Sequence, residues 1–268
     1  MTNPSLEGRI IWNEIHTADL EATLAFYRDL FGWTTRAEEL ATYTHFYLGD
    51  KTVAGLMPIA AGSPVPPHWA VYVGTADAEA YMQRAVEAGG KALMPLMDLP
   101  ETGKISAVAD GEGAVLSPFQ PANTDRETWV STGAPGTFCW VELLCRDADA
   151  ARAFYGKVAG WEMRDLEMGD GSLYTILAPQ GAPEGDGVGG IQQLPVGGIQ
   201  QLPEGDPSPS CWLSYIAIED IDASTAKVTE LGGKVMVPPT EIPGMGRFSV
   251  VADNGGSVFA MYWSVPRG

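Results

Sequence analysis

Trp12-Asn13-Glu14-Ile15-His16-Thr17-Ala18-Asp19, followed by Phe26-Tyr27, Gly32-Trp33 and Arg36, comes back later in the same chain. The second copy is Trp140-Val141-Glu142-Leu143-Leu144-Cys145-Arg146-Asp147, followed by Phe154-Tyr155, Gly160-Trp161 and Arg164. Each residue lies 128 positions from its partner, as Trp12 does from Trp140. A second series recurs 143 positions on: Trp69, Tyr72, Gly89-Gly90-Lys91, Pro95, Pro100, Gly103, Asp110 and Gly113 match Trp212, Tyr215, Gly232-Gly233-Lys234, Pro238, Pro243, Gly246, Asp253 and Gly256. The 15 residues by which 143 exceeds 128 fall between Trp161 and Trp212, where Val188–Pro195 recurs unchanged as Val196–Pro203. An exact octapeptide copy reads as a local duplication that lengthens a surface loop, which costs little. The chain is therefore two homologous domains, 8–121 and 136–266, joined by a polar linker over 122–135.

Within each half the periodicity predicts a strand, a helix and three strands, twice over. Arg9 to Ile15 alternates and is rich in β-branched residues, as a strand requires. Asp19 then caps a helix whose Leu20, Leu24, Tyr27, Leu30 and Phe31 share one face, and Gly32 ends it. Tyr43 to Leu48 and Thr52 to Met57 form a hairpin around Gly49-Asp50. Trp69 to Val73 opens the second module, and Ala76 to Ala88 is its helix. Strands at Lys91 to Met94, Ile105 to Ala109 and Ala114 to Phe119 complete it. The Phe-Tyr and Gly-Trp pairs read as core.

Composition narrows the function classes. Of 268 residues 45% are hydrophobic, enough for a real core. The net charge of −18 opposes binding to phosphate backbones and to anionic membranes. No apolar run reaches the length of a membrane span, and Met1 to Gly8 has no secretory pattern, so a cytoplasmic protein is expected. Three cysteines without a CxxC spacing indicate neither a disulfide framework nor a zinc knuckle. No phosphate loop, dinucleotide fingerprint or nucleophile elbow is present.

The repeated βαβββ order, the Asp-capped helix carrying Phe-Tyr and then Gly-Trp, and the Asp-x-x-Gly turn before the last strand together resemble the vicinal oxygen chelate superfamily. That group includes glyoxalase I, bleomycin-resistance proteins, fosfomycin-resistance enzymes and extradiol dioxygenases. The resemblance implies an α+β fold of two tandem domains, in each of which two βαβββ modules form a cup-shaped, eight-stranded mixed sheet. It also implies a divalent metal held by His or Glu from the first and last strands of the modules. Mapped on this chain, those positions are Trp12, Ala70 and Ser117 in one half, and Trp140, Leu213 and Ala260 in the other. The remaining position falls near Leu56, and among Ile191 to Ile199 in the second half. Indole, methyl and isobutyl groups do not coordinate such metals. No metal site and no cofactor are expected. The histidines, His16, His45 and His68, all lie in the first half, and a register shift of two would bring His68 to a ligand position.

Side chains two apart share a face of a strand. Trp12 and Glu14, Trp140 and Glu142, Tyr72, Tyr215, Phe119 and Tyr262 are thus expected in the cups, with His45 beside them, and Trp69 and Trp212 on the core side. Arg247, matching Lys104, is a candidate for balancing the acid or meeting a ligand carboxylate. Glu14 and Glu142 are the candidate catalytic groups, since a carboxylate among rings can act as general acid or base. The expected function is metal-free binding of a small hydrophobic or aromatic molecule, in the manner of bleomycin-resistance proteins. The alternative is an enzyme of the same fold, a glyoxalase-type lyase or a hydroxylase-like protein, dependent on a metal or on a cup glutamate. A monomer or weak homodimer is expected.

Overall fold

The computed structural model describes residues 6–36, 43–123, 133–167, 173–180, 197–202 and 204–265. The octapeptide duplication and the linker fall largely outside these residues. In the first half the elements are β1 (Ile10–Thr17), α1 (Leu20–Phe31), β2 (Thr44–Leu48), β3 (Lys51–Pro58), β4 (His68–Gly74), α2 (Ala78–Glu87), β5 (Lys91–Leu99), β6 (Gly103–Ala109) and β7 (Val115–Pro121). The second half repeats them as β8 (Phe138–Cys145), α3 (Ala148–Val158), β9 (Glu162–Glu167), β10 (Leu173–Ala178), β11 (Gly197–Gln201), β12 (Cys211–Ala217), α4 (Ile221–Glu230), β13 (Lys234–Ile242), β14 (Gly246–Ala252) and β15 (Val258–Ser264).

All four helices start alike. Asp19, Asp77, Asp147 and Asp220 sit in extended backbone and accept N–H bonds from the first turn, from Ala22, Ala80, Ala150 and the pair Asp222 and Ala223. Gly32 ends α1 in the left-handed region, φ 71°, with its N–H bonded to the Arg28 carbonyl.

The strands form two mixed sheets, ordered β2-β3-β1-β4-β7-β6-β5 and β13-β14-β15-β12-β8-β11-β10-β9. The second has the expected eight strands. The first has seven among the described residues, the place of an eighth being marked by the single bridge Thr34–Tyr47. Parallel pairing of β1 with β3, β4 with β7, β8 with β11 and β12 with β15 is flanked by antiparallel hairpins.

Packing partitions the chain differently from the sequence repeat. One compact unit comprises residues 1–12, 71–130 and 141–212, and the other 13–70, 131–140 and 213–268. Each unit thus takes one module from each half, and each has a core of its own. In the first, Val73, Tyr81, Leu116, Leu143, Phe154, Tyr155, Trp161 and Trp212 are buried together. In the second, Ile15, Phe26, Tyr27, Trp33, Leu56, Trp69, Ile216 and Phe259 are.

Buried hydrogen bonds account for the repeated motifs. In the second unit the Tyr27 hydroxyl donates to Asp253 Oδ2 at 3.0 Å and accepts from Trp69 Nε1 at 2.9 Å. Asp253 Oδ1 accepts from the N–H groups of Gly255 and Ser257, closing the Asp-x-x-Gly turn. In the first unit Tyr155, Asp110 and Trp212 repeat the arrangement at 3.0 Å for both bonds. The Phe-Tyr helix of one half is therefore tied to the Asp-x-x-Gly turn of the other. Burial first, and the adjoining carboxylate second, push both phenol pKa values well above the usual range.

Candidate functional site

On β1 the buried Ile11, Asn13, Ile15 and Thr17 alternate with Trp12, Glu14 and His16. Ile15 packs in the helix-side core, so the latter three turn to the opposite face. His16 continues the series begun by Trp12 and Glu14, a place that the period-two pattern of the strand implies.

In parallel register Glu14 lies opposite Gly55, and across the hairpin Gly55 lies opposite His45. Glu14 and His45 therefore occupy one row of the open face, the face away from the helices. Glu14 is only 4% exposed. Its Oε1 lies 2.8 Å from His16 Nε2, an ion-pair distance at which the pair is not aligned as a straight hydrogen bond. His68, at the start of β4, stacks on His16 with ring centroids 4.6 Å apart and planes 19° off parallel. Its Nδ1 is 2.8 Å from the Pro66 carbonyl, which fixes the ring. Burial is the main influence lowering the His68 pKa, and His16 adds to it; the Pro66 carbonyl and Glu14 oppose it. Tyr43 meets the His45 ring edge-on at 5.0 Å. Glu14, His16, His45 and His68 belong to the second unit.

In the second sheet Glu142 lies opposite Gly198, as Glu14 lies opposite Gly55. Tyr174 donates to Glu142 Oε1 at 2.8 Å. Burial, with Glu142 adding, pushes the Cys211 thiol up to about 11.

The remaining expected residues divide as follows. Tyr72 and Phe119 form a ring pair at 6.3 Å in the first unit, on the side of the sheet away from Val71 and Val73. Tyr215 meets Phe248 at 6.4 Å in the second unit, and the Tyr262 hydroxyl donates to the Met245 carbonyl at 2.9 Å. Trp140 alternates with buried Val141. Trp69 and Trp212 are core residues. Arg247 is a correction: it shares the strand face of Ser249 and Val251, not of Phe248, and its guanidinium pairs with Asp222 on α4 at 2.6 Å. It is committed to a helix-side carboxylate.

The remaining family position falls near Leu56 on β3. The Cα partner of Leu56 is Ile15, both are in the helix-side core, and the open-face neighbours on β3 are Gly55 and Met57. With Trp12, Trp140, Ala70, Leu213, Ser117 and Ala260 at the other family positions, this donor set does not fit the metal that the fold implies. Among the described residues no three His, Cys, Asp or Glu side chains are arranged to hold a metal ion.

The fold and its paired modules define a class. The model of the Glyoxalase/Bleomycin resistance protein/Dioxygenase superfamily matches residues 9–117 and 137–261. The chain belongs to this superfamily, as a tandem protein. It is 32% identical over 267 residues to "Putative glyoxylase CFP32" of Mycobacterium bovis, with 97% of each chain covered. It is 30% identical over 270 residues to "Anthracycline biosynthesis protein DnrV" of Streptomyces peucetius, covering 95% of this chain and 92% of that one. Among solved structures the fold resembles the 2,3-dioxygenase LapB from Pseudomonas sp. KL28, with TM-score 0.60, 13% identity, and 97% and 93% of the two chains covered. It also resembles the Mn(II)-bound glyoxalase from Novosphingobium aromaticivorans, with TM-score 0.59, 16% identity, and coverage of 97% and 83%.

No helix among the described residues is long and apolar enough to cross a membrane.

Proposed function

We propose that the open faces of the two sheets bind small, flat, hydrophobic or aromatic molecules without the help of a metal ion. The observation that carries this reading is the pairing, in both halves, of a tryptophan and a glutamate two residues apart on the first strand, Trp12 with Glu14 and Trp140 with Glu142, alternating with core residues. Ring faces supply stacking, and a carboxylate supplies a directional contact for a hydroxyl or a cation. The relative named for anthracycline biosynthesis supports an aromatic ligand. We place the protein in the cytoplasm, as a monomer or weak homodimer without nucleic-acid or membrane partners.

The test is quenching of tryptophan fluorescence by 1-naphthol. In a background carrying Trp129→Phe and Trp263→Phe, Trp12→Ala and Trp140→Ala each remove part of the quenching, and the two together remove it all. Quenching that survives both changes in that background refutes the assignment, because the remaining Trp33, Trp69, Trp161 and Trp212 are shielded in the cores.

A second reading, an enzyme using a glutamate as acid or base, is favoured in the first half alone by the contact between Glu14 and His16. It predicts that Glu14→Gln lowers turnover of a substrate while leaving its binding nearly intact.

A further inference from the structure

The two halves repeat each other in fold but not in chemistry. Strand register and the repeat offset place Leu144 where the first half has His16, Ile176 where it has His45, and Cys211 where it has His68. The glutamate, the adjoining glycine and the tyrosine survive as Glu142, Gly198 and Tyr174. Both halves thus keep the same carboxylate, and only the first surrounds it with imidazoles.

We propose that Glu14, His16 and His68 form an acid–base site confined to the first half, which takes a phenol or similarly acidic aromatic hydroxyl compound as its anion. The ligand class rests on the binding reading given above. The substrate O–H bond breaks, and the proton goes to His68 Nε2. The products are a phenolate and an imidazolium side by side, with no oxidant or reductant involved.

The geometry supports each role. His68 Nδ1 is held to the Pro66 carbonyl, which accepts only from an N–H, so in the neutral ring the basic lone pair is on Nε2. Burial lowers the pKa of this ring, so it is unprotonated at neutral pH, and the phenolate that forms beside it supplies the negative charge that holds the transferred proton on Nε2. The titratable groups acting on it are His16 and Glu14, both on β1. The stacked rings resist carrying two charges together, while Glu14 favours the imidazolium once it forms. In the second half Tyr174 donates to Glu142, and Cys211 is held as a neutral thiol, so that half binds without exchanging a proton.

The chain's three histidines make the test direct. Protein labelled with ¹⁵N in histidine gives three ring systems, assigned with His16→Gln, His45→Gln and His68→Gln. Without any ligand, Glu14→Gln moves the titration of His68 to lower pH and His16→Gln moves it to higher pH. Absence of both shifts overturns the acid–base unit whatever the ligand is.

With ligand, the probe is 4-nitrophenol, whose anion absorbs in the visible, and calorimetry reads its binding independently. The wild-type protein shows the anion band below the pH at which the free phenol ionises, and the His68 ring signals take the imidazolium pattern. His68→Gln, with near-ultraviolet circular dichroism unchanged, binds 4-nitrophenol and loses the band; His68→Asn repeats the loss. Binding with equal bands in wild type and His68→Gln overturns the proton transfer and leaves the binding reading standing. No heat of binding for 4-nitrophenol and no quenching by 1-naphthol overturn the binding reading and the ligand class with it.

Discussion

Replacing Tyr27 by phenylalanine removes one oxygen atom and disturbs two partners. The hydroxyl donates to Asp253 Oδ2 at 3.0 Å and accepts from Trp69 Nε1 at 2.9 Å, inside a core where Tyr27 is 0% exposed. A hydrogen bond to a charged acceptor contributes about 1.5–3 kcal/mol, and an indole N–H stranded in the core costs about 1–3 kcal/mol. Asp253 keeps two backbone donors on its other oxygen, so its carboxylate is weakened rather than abandoned. The expected loss is therefore about 3–5 kcal/mol. Because the packing divides into two units, a single global unfolding midpoint is the wrong observable. Native-state hydrogen exchange read by mass spectrometry resolves the units separately. Tyr27→Phe lowers protection in α1 and α4 and spares α2 and α3. Tyr155→Phe, which removes the equivalent bonds to Asp110 and Trp212, does the reverse. A loss below about 1 kcal/mol for Tyr27→Phe, or equal losses in all four helices for either variant, refutes the reasoning.

Alkaline titration tests the same buried phenols from another side. Tyr27, Tyr81 and Tyr155 have pKa values raised chiefly by burial, so the folded state holds protons that the unfolded chain gives up near about pH 10. Stability is therefore intact below that pH and falls as the pH rises above it; at most six of the nine tyrosines ionise before the unfolding step, and nine reversible ionisations in the folded protein contradict this. Burial is the main cause pushing the thiols of Cys139 and Cys145 up to about 12 and that of Cys211 to about 11. At pH 8 none of them is expected to react with a thiol–disulfide reagent such as 5,5′-dithiobis(2-nitrobenzoate) until denaturant is added, and one rapid equivalent of released thiolate counts against the burial argument. Arg247→Ala, which breaks only an exposed ion pair, is expected to leave both thermal stability and 1-naphthol quenching nearly unchanged; a weakened quench would return Arg247 to the ligand.

Much of the architecture was legible because a repeated chain announces its own modules. The Asp19 cap and its repeat at Asp147, the hairpin around Gly49-Asp50 and the Asp-x-x-Gly turns are local devices, and each formed where the sequence placed it, whereas α2 starts at Ala78, after the Asp77 cap, and not at Ala76. Strand parity also carried the faces of Trp12, Glu14, Tyr72 and Tyr215. The errors came where parity was not carried far enough. His16 continues the Trp12–Glu14 alternation, and Arg247 falls in step with core residue Val251, not with Phe248. Leu56 needed the pairing of β3 with β1, which fixes it beside Ile15. What no local pattern contained was the partner of each Phe-Tyr helix. Tyr27 and Asp253 are separated by 226 residues, and their meeting depends on which modules pack together.

That pairing sets an order of events on the ribosome. The unit made of residues 71–130 and 141–212, with the first dozen residues, is complete once the chain has emerged to about Trp212. The other must wait, because α1, with Phe26, Tyr27 and Trp33, has its partners in Ile216, Ile221, Val228 and Phe259 near the far end. At about 5–20 residues per second, the roughly 220 residues between Trp33 and Asp253 take about 10–45 s to synthesise. For that interval the earliest helix to leave the tunnel has only its own module to pack on, through Ile15, Phe46, Leu56 and Trp69, and the face that meets the last module stays bare. The nascent chain is thus a natural client for a holding chaperone, and a stop codon in the last module leaves that face permanently uncovered.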